Sequence, residues 1–308
     1  MKIFKKEKRR DIKNNEAIET SNTTDNIESS VKLRVFRINA IQDPKDGHHF
    51  DEFQIPVKRW TTVLDALLDA KSYQDSSIAI RYSCRMASCG SCGMKINGIP
   101  RLACYTKISE LATNTITCEP LPNFPYIRDL VTDFSQFFNH HSSVLPYIQN
   151  KKADIPDVNE LTEYEQTPED LDKFLQFSYC IKCGLCYSAC PTVATDLKFP
   201  GPQALSQAYR YFADSRDTDK SNRLKVIDTS HGISRCHFAG SCSNVCPKGV
   251  DPALGIQLLR SHLLGFSNSE KKIAKLQDRS SSNSYTAEEE EGEGEGKGYT
   301  EKNENYDK

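Results

Sequence analysis

Residues 180–191 read CIKCGLCYSACP, and residues 236–247 read CHFAGSCSNVCP. The first is a complete C-x2-C-x2-C-x3-C-P. The second keeps the same frame 56 residues later, with Ala239 where the second cysteine belongs. In the complete run three thiolates hold one four-iron cluster, and the fourth is lent to a neighbouring cluster. Crossing the two runs in that way gives Cys180, Cys183, Cys186 and Cys246 to a [4Fe–4S] cluster. Cys190, Cys236 and Cys242 are left for the second centre, which has no thiolate for its fourth corner. A cubane unligated at one corner readily loses that iron, so the second centre is expected to be [3Fe–4S].

A third set lies upstream. Cys84, Cys89, Cys92 and Cys104 give C-x4-C-x2-C-x11-C, the plant-type [2Fe–2S] spacing with a shorter last gap. Ser83, Ser88, Gly90, Ser91 and Gly93 lie between and around these cysteines. Small residues let backbone amides approach sulfur, and hydrogen bonds to sulfur are one lever on reduction potential. Asn97-Gly98 predicts a hairpin turn that brings Cys104, within 101–106, back towards the loop.

Blander readings of the cysteines fit less well. A disulfide framework suits small secreted chains, and neither a secretory signal nor a need for staples is evident at 308 residues. Four-cysteine zinc sites are common. C-x2-C-x2-C, however, packs three thiolates into seven residues, and zinc leaves a three-ligand site unexplained. Cys118 is left over from eleven cluster cysteines among twelve. It shares strand parity with Ile116 in 115–119, which predicts a buried apolar thiol.

A net charge of −2 gives no reason to expect nucleic-acid binding or attraction to an anionic membrane. No apolar run approaches the roughly 18 residues of a membrane span, so membrane association would run through a partner. Cluster thiols point to a reducing compartment, such as cytoplasm or mitochondrial matrix. Residues 1–30 open with basic MKIFKKEKRR and continue polar, predicting a disordered tail. Glu7, Asp11, Glu16, Glu19, Asp25 and Glu28 argue against a mitochondrial leader, which is poor in acids. Residues 267–308 form a charged tail, disordered from about 278, where EEEEGEGEGKG follows.

Between the tails the expected fold class is α+β. An N-terminal β-grasp [2Fe–2S] ferredoxin domain spans 31–125, and a connecting helix and linker span 126–166. An all-α two-cluster ferredoxin-like domain spans 167–266. Val31, Leu33 and Val35 alternate, as do Phe53, Ile55 and Val57, and Ile78 with Ile80 leads into the cysteine loop. Thr62 caps a helix with Val63, Leu64, Leu67 and Leu68 on one stripe. The connecting helix is expected at about 126–140, with Ile127, Leu130, Val131, Phe134, Phe137 and Phe138 packing between domains. In the second domain Thr167-Pro168, Gly201-Pro202 and Asp251-Pro252 each precede a predicted helix. His48, His49, His140 and His141 are expected to face solvent.

The order of these motifs, with CHFAGSCSNVCPKGVDP following CIKCGLCYSACP, resembles the iron–sulfur subunit of the succinate dehydrogenase and fumarate reductase family. The resemblance runs from about Val31 to Leu264 and includes FPYIRDLVTDF and AYRYFADSRD. It implies an assembly with a flavoprotein subunit carrying FAD, one or more membrane anchor subunits, and a quinone as acceptor. Electrons from succinate would pass singly through [2Fe–2S], [4Fe–4S] and [3Fe–4S]. Succinate chemistry would lie on the flavoprotein, so no catalytic residue is expected on this chain. The resemblance places His237 and Pro191 near the quinone. Thr195 stands where ubiquinone-reducing members have a tryptophan, so the quinone contact is expected to differ. The succinate dehydrogenase type is preferred here, at the cytoplasmic face of a prokaryotic plasma membrane rather than in mitochondria. The alternatives are a fumarate reductase subunit running the other way, or a ferredoxin-like donor to another flavoprotein.

Overall fold

The computed structural model describes residues 29–38, 47–149 and 165–266. The expected tails and most of the linker therefore lie outside the described residues. Ser29 and Ser30 are the exception: they extend the first strand by pairing with Val57 and Pro56. The chain divides into Met1–Leu263 and Leu264–Lys308, and the following description concerns the first unit.

The N-terminal half is a five-stranded sheet in the order β2-β1-β5-β3-β4. β1 (Ser29–Arg37) pairs antiparallel with β2 (His49–Val57) and parallel with β5 (Thr115–Glu119). β3 (Gly93–Ile96) pairs antiparallel with β4 (Ile99–Leu102) and with β5. The alternation read from the sequence sets which face is covered: Leu33, Val35, Ile55, Ile96, Ile116 and Cys118 are all buried. Between β2 and β3 runs α1 (Val63–Tyr73), with Val63, Leu64 and Leu67 buried. Its start is a capping box. The Asp65 amide donates to Thr62 Oγ1 (3.2 Å), and the Thr62 amide donates to the Asp65 carboxylate (3.1 Å). Asn97 and Gly98 both have positive φ (46° and 84°), as a two-residue hairpin turn of the twisted type requires.

Two expectations fail around residue 129. Residues 126–132 form β6 (Tyr126–Arg128) and β7 (Val131–Thr132), and the helix α2 starts only at Ser135 (Ser135–Ser143). Residues 78–80 form no strand. One side chain accounts for both. Asp129, 2% exposed with φ 46°, accepts from the Ile38 amide (3.1 Å) and the Ala79 amide (2.8 Å). The Leu130 amide then donates to the Ala79 carbonyl. Backbone groups that would enter a helix or a ladder are taken by this carboxylate, and tertiary bonding overrides the apolar spacing. Of the expected aromatic stripe, Phe134 and Phe137 pack inward while Ile127 and Phe138 are exposed.

The second half is helical: α3 (Pro168–Asp172), α4 (Leu175–Ser178), α5 (Leu185–Ser188), α6 (Pro191–Thr195), α7 (Gly201–Ala213), α8 (Lys220–Ile227), α9 (Ser241–Asn244) and α10 (Pro252–Leu263). Thr167 caps α3, with proline at the first position, as read from the sequence. α7 is the centre of this half and packs against α10, α2, α4 and α5. A buried ion pair ties the halves together. Arg223 and Asp217 are both fully buried. The guanidinium bonds the Asp217 carboxylate and the carbonyls of Val144 (3.2 Å) and Tyr147 (3.0 Å). Removing one member of such a pair leaves an uncompensated charge. Arg223→Leu is therefore expected to lower the unfolding free energy by about 3–5 kcal/mol, measured by chemical denaturation.

Candidate metal centres

Around Cys84 the chain turns tightly through three left-handed positions, Arg85 (φ 57°), Ala87 (φ 55°) and Gly90 (φ 76°). Non-glycine residues in this region are strained, and such strain collects at functional sites. Here it points amides inward. Cys84 Sγ accepts from the amides of Met86 (3.5 Å), Ser88 (3.3 Å) and Cys89 (3.2 Å). Cys104 Sγ accepts from Ala87 (3.4 Å), and Cys92 Sγ from the Cys104 amide (3.5 Å). The Ser91 hydroxyl lies 3.0 Å from Cys89 Sγ. That hydroxyl, with nearby amides, draws the exposed Cys89 thiol down to about 6, while burial pushes Cys92 up to about 12. A loop that bends its amides onto four gathered sulfurs fits a sulfur-rich, negatively charged group.

In the helical half the two cysteine runs have the same backbone. Lys182 and Phe238 are left-handed (φ 55° and 54°), as are Gly184 and Gly240 (78° and 73°), and each glycine starts a four-residue helix, α5 or α9. The frame shift of 56 residues is thus reproduced torsion by torsion. The sulfurs of the two runs line two cavities. Cys180, Cys183, Cys186 and Cys246 line one cavity of about 380 Å³, with Gln203 in its wall. Cys190, Cys236 and Cys242 line another of about 340 Å³, together with Ala239, His237 and Pro191. Burial, then the neighbouring thiols, pushes Cys183 up to about 12 and raises Cys186 well above its ordinary value. Burial likewise takes Cys242 up to about 11. A metal centre bound there would take the thiolates and release those protons. Among the described residues no three His, Cys, Asp or Glu side chains are arranged to hold a single ion. Sulfurs spread around a cavity suit a polynuclear centre better than one tetrahedral zinc.

His237 and Pro191 are exposed at the second cavity. Thr195 is also exposed, but its hydroxyl donates back to the carbonyls of Pro191 (3.3 Å) and Thr192 (3.1 Å). Cys118 is fully buried in the sheet with its thiol pushed up to about 12, as strand parity predicted. His48 and His49 are exposed, as expected. His140 and His141 are half-buried rather than fully solvent-facing. His140 Nε2 lies 3.1 Å from the Leu197 carbonyl, and His141 Nδ1 lies 3.2 Å from Gln203 Nε2. Both sit where α2 meets the helical half, a contact their polar flanks did not announce.

Sequence reading also missed Asn123 and Gln203. Asn123 donates to the carbonyls of Tyr187 (3.1 Å), Ser188 (3.0 Å) and Cys190 (3.2 Å), pinning the first cysteine run to the sheet half. Gln203 is 1% exposed and lines the four-sulfur cavity beside Cys180. Its one sequence signal was an amide on a helix whose neighbouring faces are apolar. The two cysteine loops also meet directly. A Cβ at Gly90 would stand 2.6 Å from Cys183 Cβ, and one at Gly93 would stand 3.3 Å from the Cys183 carbonyl.

Three sulfur sets on a β-grasp sheet and a helical repeat define a multi-centre iron–sulfur electron carrier. Residues 32–139 match a family described as a 2Fe-2S iron-sulfur cluster binding domain, and residues 176–250 one described as a 4Fe-4S dicluster domain. The chain is 45% identical over 224 residues to the fumarate reductase iron-sulfur subunit of Mycobacterium tuberculosis, covering 73% of this chain and 89% of that one. It is 40% identical over 228 residues to the Escherichia coli O6:H1 subunit of the same name (74% and 91%). To the mitochondrial succinate dehydrogenase [ubiquinone] iron-sulfur subunit of Candida glabrata it is 34% identical over 233 residues (75% and 90%). Its structure resembles a chain of the Mycobacterium smegmatis Sdh1 complex in the apo form, with a TM-score of 0.68 and 26% identity, covering 78% of this chain and 98% of that one. The chain belongs to the iron–sulfur subunits of the fumarate reductase and succinate dehydrogenase family, and it is an electron-transfer subunit.

The Gly90 contact has a measurable signature. Gly90→Ala adds a methyl group against Cys183 at a left-handed residue, and is expected to destabilise by about 2–4 kcal/mol from overpacking and torsion together. Gly98→Ala, at φ 84° with no atom within 4 Å, has the torsional penalty alone, about 1–2 kcal/mol. Thermal melts of the two variants side by side separate the contact from the torsion.

Proposed function

We propose that this chain passes electrons singly between a flavoprotein that interconverts succinate and fumarate and a membrane-held quinone. Cys84, Cys89, Cys92 and Cys104 hold [2Fe–2S]; Cys180, Cys183, Cys186 and Cys246 hold [4Fe–4S]; Cys190, Cys236 and Cys242 hold [3Fe–4S]. The observation that carries this reading is the serial arrangement of the three sulfur sets. The first loop touches Cys183 of the second set, and the run 180–190 supplies both the second and the third. When bound, the clusters supply one-electron transfer. The chain's own residues aim amides at the sulfurs of the first loop and fix the spacing. Exposed His237 and Pro191 at the three-sulfur cavity support a quinone at that end, with His237 as hydrogen-bond donor or proton carrier.

Domain limits at 31, 126, 167 and 267 belong to the same proposal, as does a place on the cytoplasmic face of a prokaryotic plasma membrane. Among the described residues no helix is long and apolar enough to cross a membrane, so anchor subunits would supply attachment. FAD would reside on the partner flavoprotein. The proposed direction is succinate to quinone, supported by a likeness to the Sdh1 complex chain over 98% of its length. Fumarate reduction is the second reading. It is favoured by the 40–45% identity to subunits with that name, against 34% to the mitochondrial succinate dehydrogenase subunit. Net flux in intact membranes given succinate or fumarate separates the two.

Low-temperature EPR tests the cluster assignment. A near-isotropic three-iron signal is expected in the oxidised protein, with [2Fe–2S] and [4Fe–4S] signals after dithionite. Ala239→Cys restores the missing ligand position in the three-sulfur cavity and is expected to abolish the oxidised three-iron signal while raising iron content by one per chain. A persistent three-iron signal in that variant would refute the role given to Ala239. Cys118→Ala, by contrast, is expected to keep full iron and sulfide content, and the native Cys118 thiol should resist alkylation until the protein unfolds. Loss of iron on that substitution would make Cys118 a ligand.

A further inference from the structure

Gln203 lies in the wall of the four-sulfur cavity, and its polar atoms have an unusual disposition. It lines that cavity together with Cys180, its Nε2 lies 3.2 Å from His141 Nδ1, and its Oε1 is buried with no partner. Two constraints set which way this amide faces. Burial first, and the charge of Lys182 second, lower the pKa of His141, so the ring is neutral and its Nδ1 is free to accept. A metal-bound thiolate at Cys180 is an acceptor only, so it repels an amide oxygen and attracts an amide N–H. One NH2 group therefore spans two acceptors, and the orphaned oxygen is what that orientation leaves over. The reversed amide would give Oε1 a partner only by turning its lone pairs towards the thiolate.

We propose that Gln203, oriented by His141, is a positioning residue that raises the reduction potential of the centre on Cys180, Cys183, Cys186 and Cys246 by donating a hydrogen bond to Cys180 Sγ. The proposal rests on the [4Fe–4S] assignment made above. A donor aimed at ligand sulfur stabilises the more negatively charged state, which is the reduced one. His141 belongs to α2 and Gln203 to α7, so the donor is held by both halves of the chain. Each ring or amide placed there by the fold acts on the centre without touching iron.

EPR-monitored redox titration of the full, cluster-loaded chain tests this with Gln203→Leu and His141→Ala. In Gln203→Leu the [4Fe–4S] midpoint is expected to fall by about threefold to tenfold in the reduction equilibrium, about 28 to 59 mV at 59 mV per decade for one electron. In His141→Ala it should fall by less, because the amide remains but is no longer held. The midpoints of the other two centres should stay where they are in both variants. An unmoved [4Fe–4S] midpoint in Gln203→Leu overturns the proposal, and so does an equal shift of all three centres, which a general loosening would produce. If Gln203→Leu takes up no [4Fe–4S] cluster, the His141→Ala midpoint decides: a selective fall supports the proposal and no fall overturns it. A wild-type protein without any [4Fe–4S] signal would instead refute the cluster assignment itself.

Discussion

The rest of the molecule is arranged around the place where Gly90 rests on Cys183. A side chain at residue 90 would fall inside the van der Waals shell of a proposed ligand from the other half of the chain. The approach is therefore open only to glycine, and its φ of 76° is one that glycine adopts without strain. Other contacts hold that approach closed. Asn123 ties three carbonyls of the run 187–190 to the end of the sheet half. Phe124, Phe134 and Phe137 stack around Tyr187, with ring centroids 4.4 to 5.9 Å apart. Arg223 gathers the carbonyls that follow α2. Polar and aromatic contacts of this kind fix a geometry more narrowly than area burial does, because each has its own direction.

The crossed pairing of the two cysteine runs has an energetic side. Neither copy of the repeat encloses a complete sulfur set, since Cys246 joins the first copy and Cys190 joins the second. Packing α7 against α10 and α5 against α9 is what assembles both cavities. Desolvation favours the protonated form of the buried thiols, so binding of the proposed clusters would be coupled to folding in this half. The sheet half has a core of Leu33, Ile55, Leu64, Leu67 and Ile116, to which the cysteine loop adds Ala87 and Cys92.

Much of this was legible in the chain. Cysteine spacing marked the two iron–sulfur domains and their order, because ligand geometry leaves few spacings that work. Thr62, Thr167-Pro168 and Asn97-Gly98 marked their caps and turn through local bonding that needs no tertiary partner. What escaped was decided at long range. The apolar positions 127–138 look helical, yet a carboxylate at Asp129 bonds backbone 91 and 50 residues away and makes the first part a hairpin. Ile78 is buried as its pattern implies, but the strand it suggested has no ladder to join. His141 and Gln203 are 62 residues apart and carry no motif, so only the packing of α2 on α7 brings them together.

The shared run 180–190 also orders events in time. Cys84 through Cys104 lie within 21 consecutive residues, so their loop is complete once β4 has paired with β3. The two cavities of the helical half wait for Cys246, 66 residues beyond Cys180, and for Cys242, 52 residues beyond Cys190. Closing a loop of that length has an entropic penalty that must be met before any of its contacts form. A chain emerging from the ribosome can thus finish the first sulfur loop while both cavities of the helical half are still open, and loading of the proposed clusters there would come late.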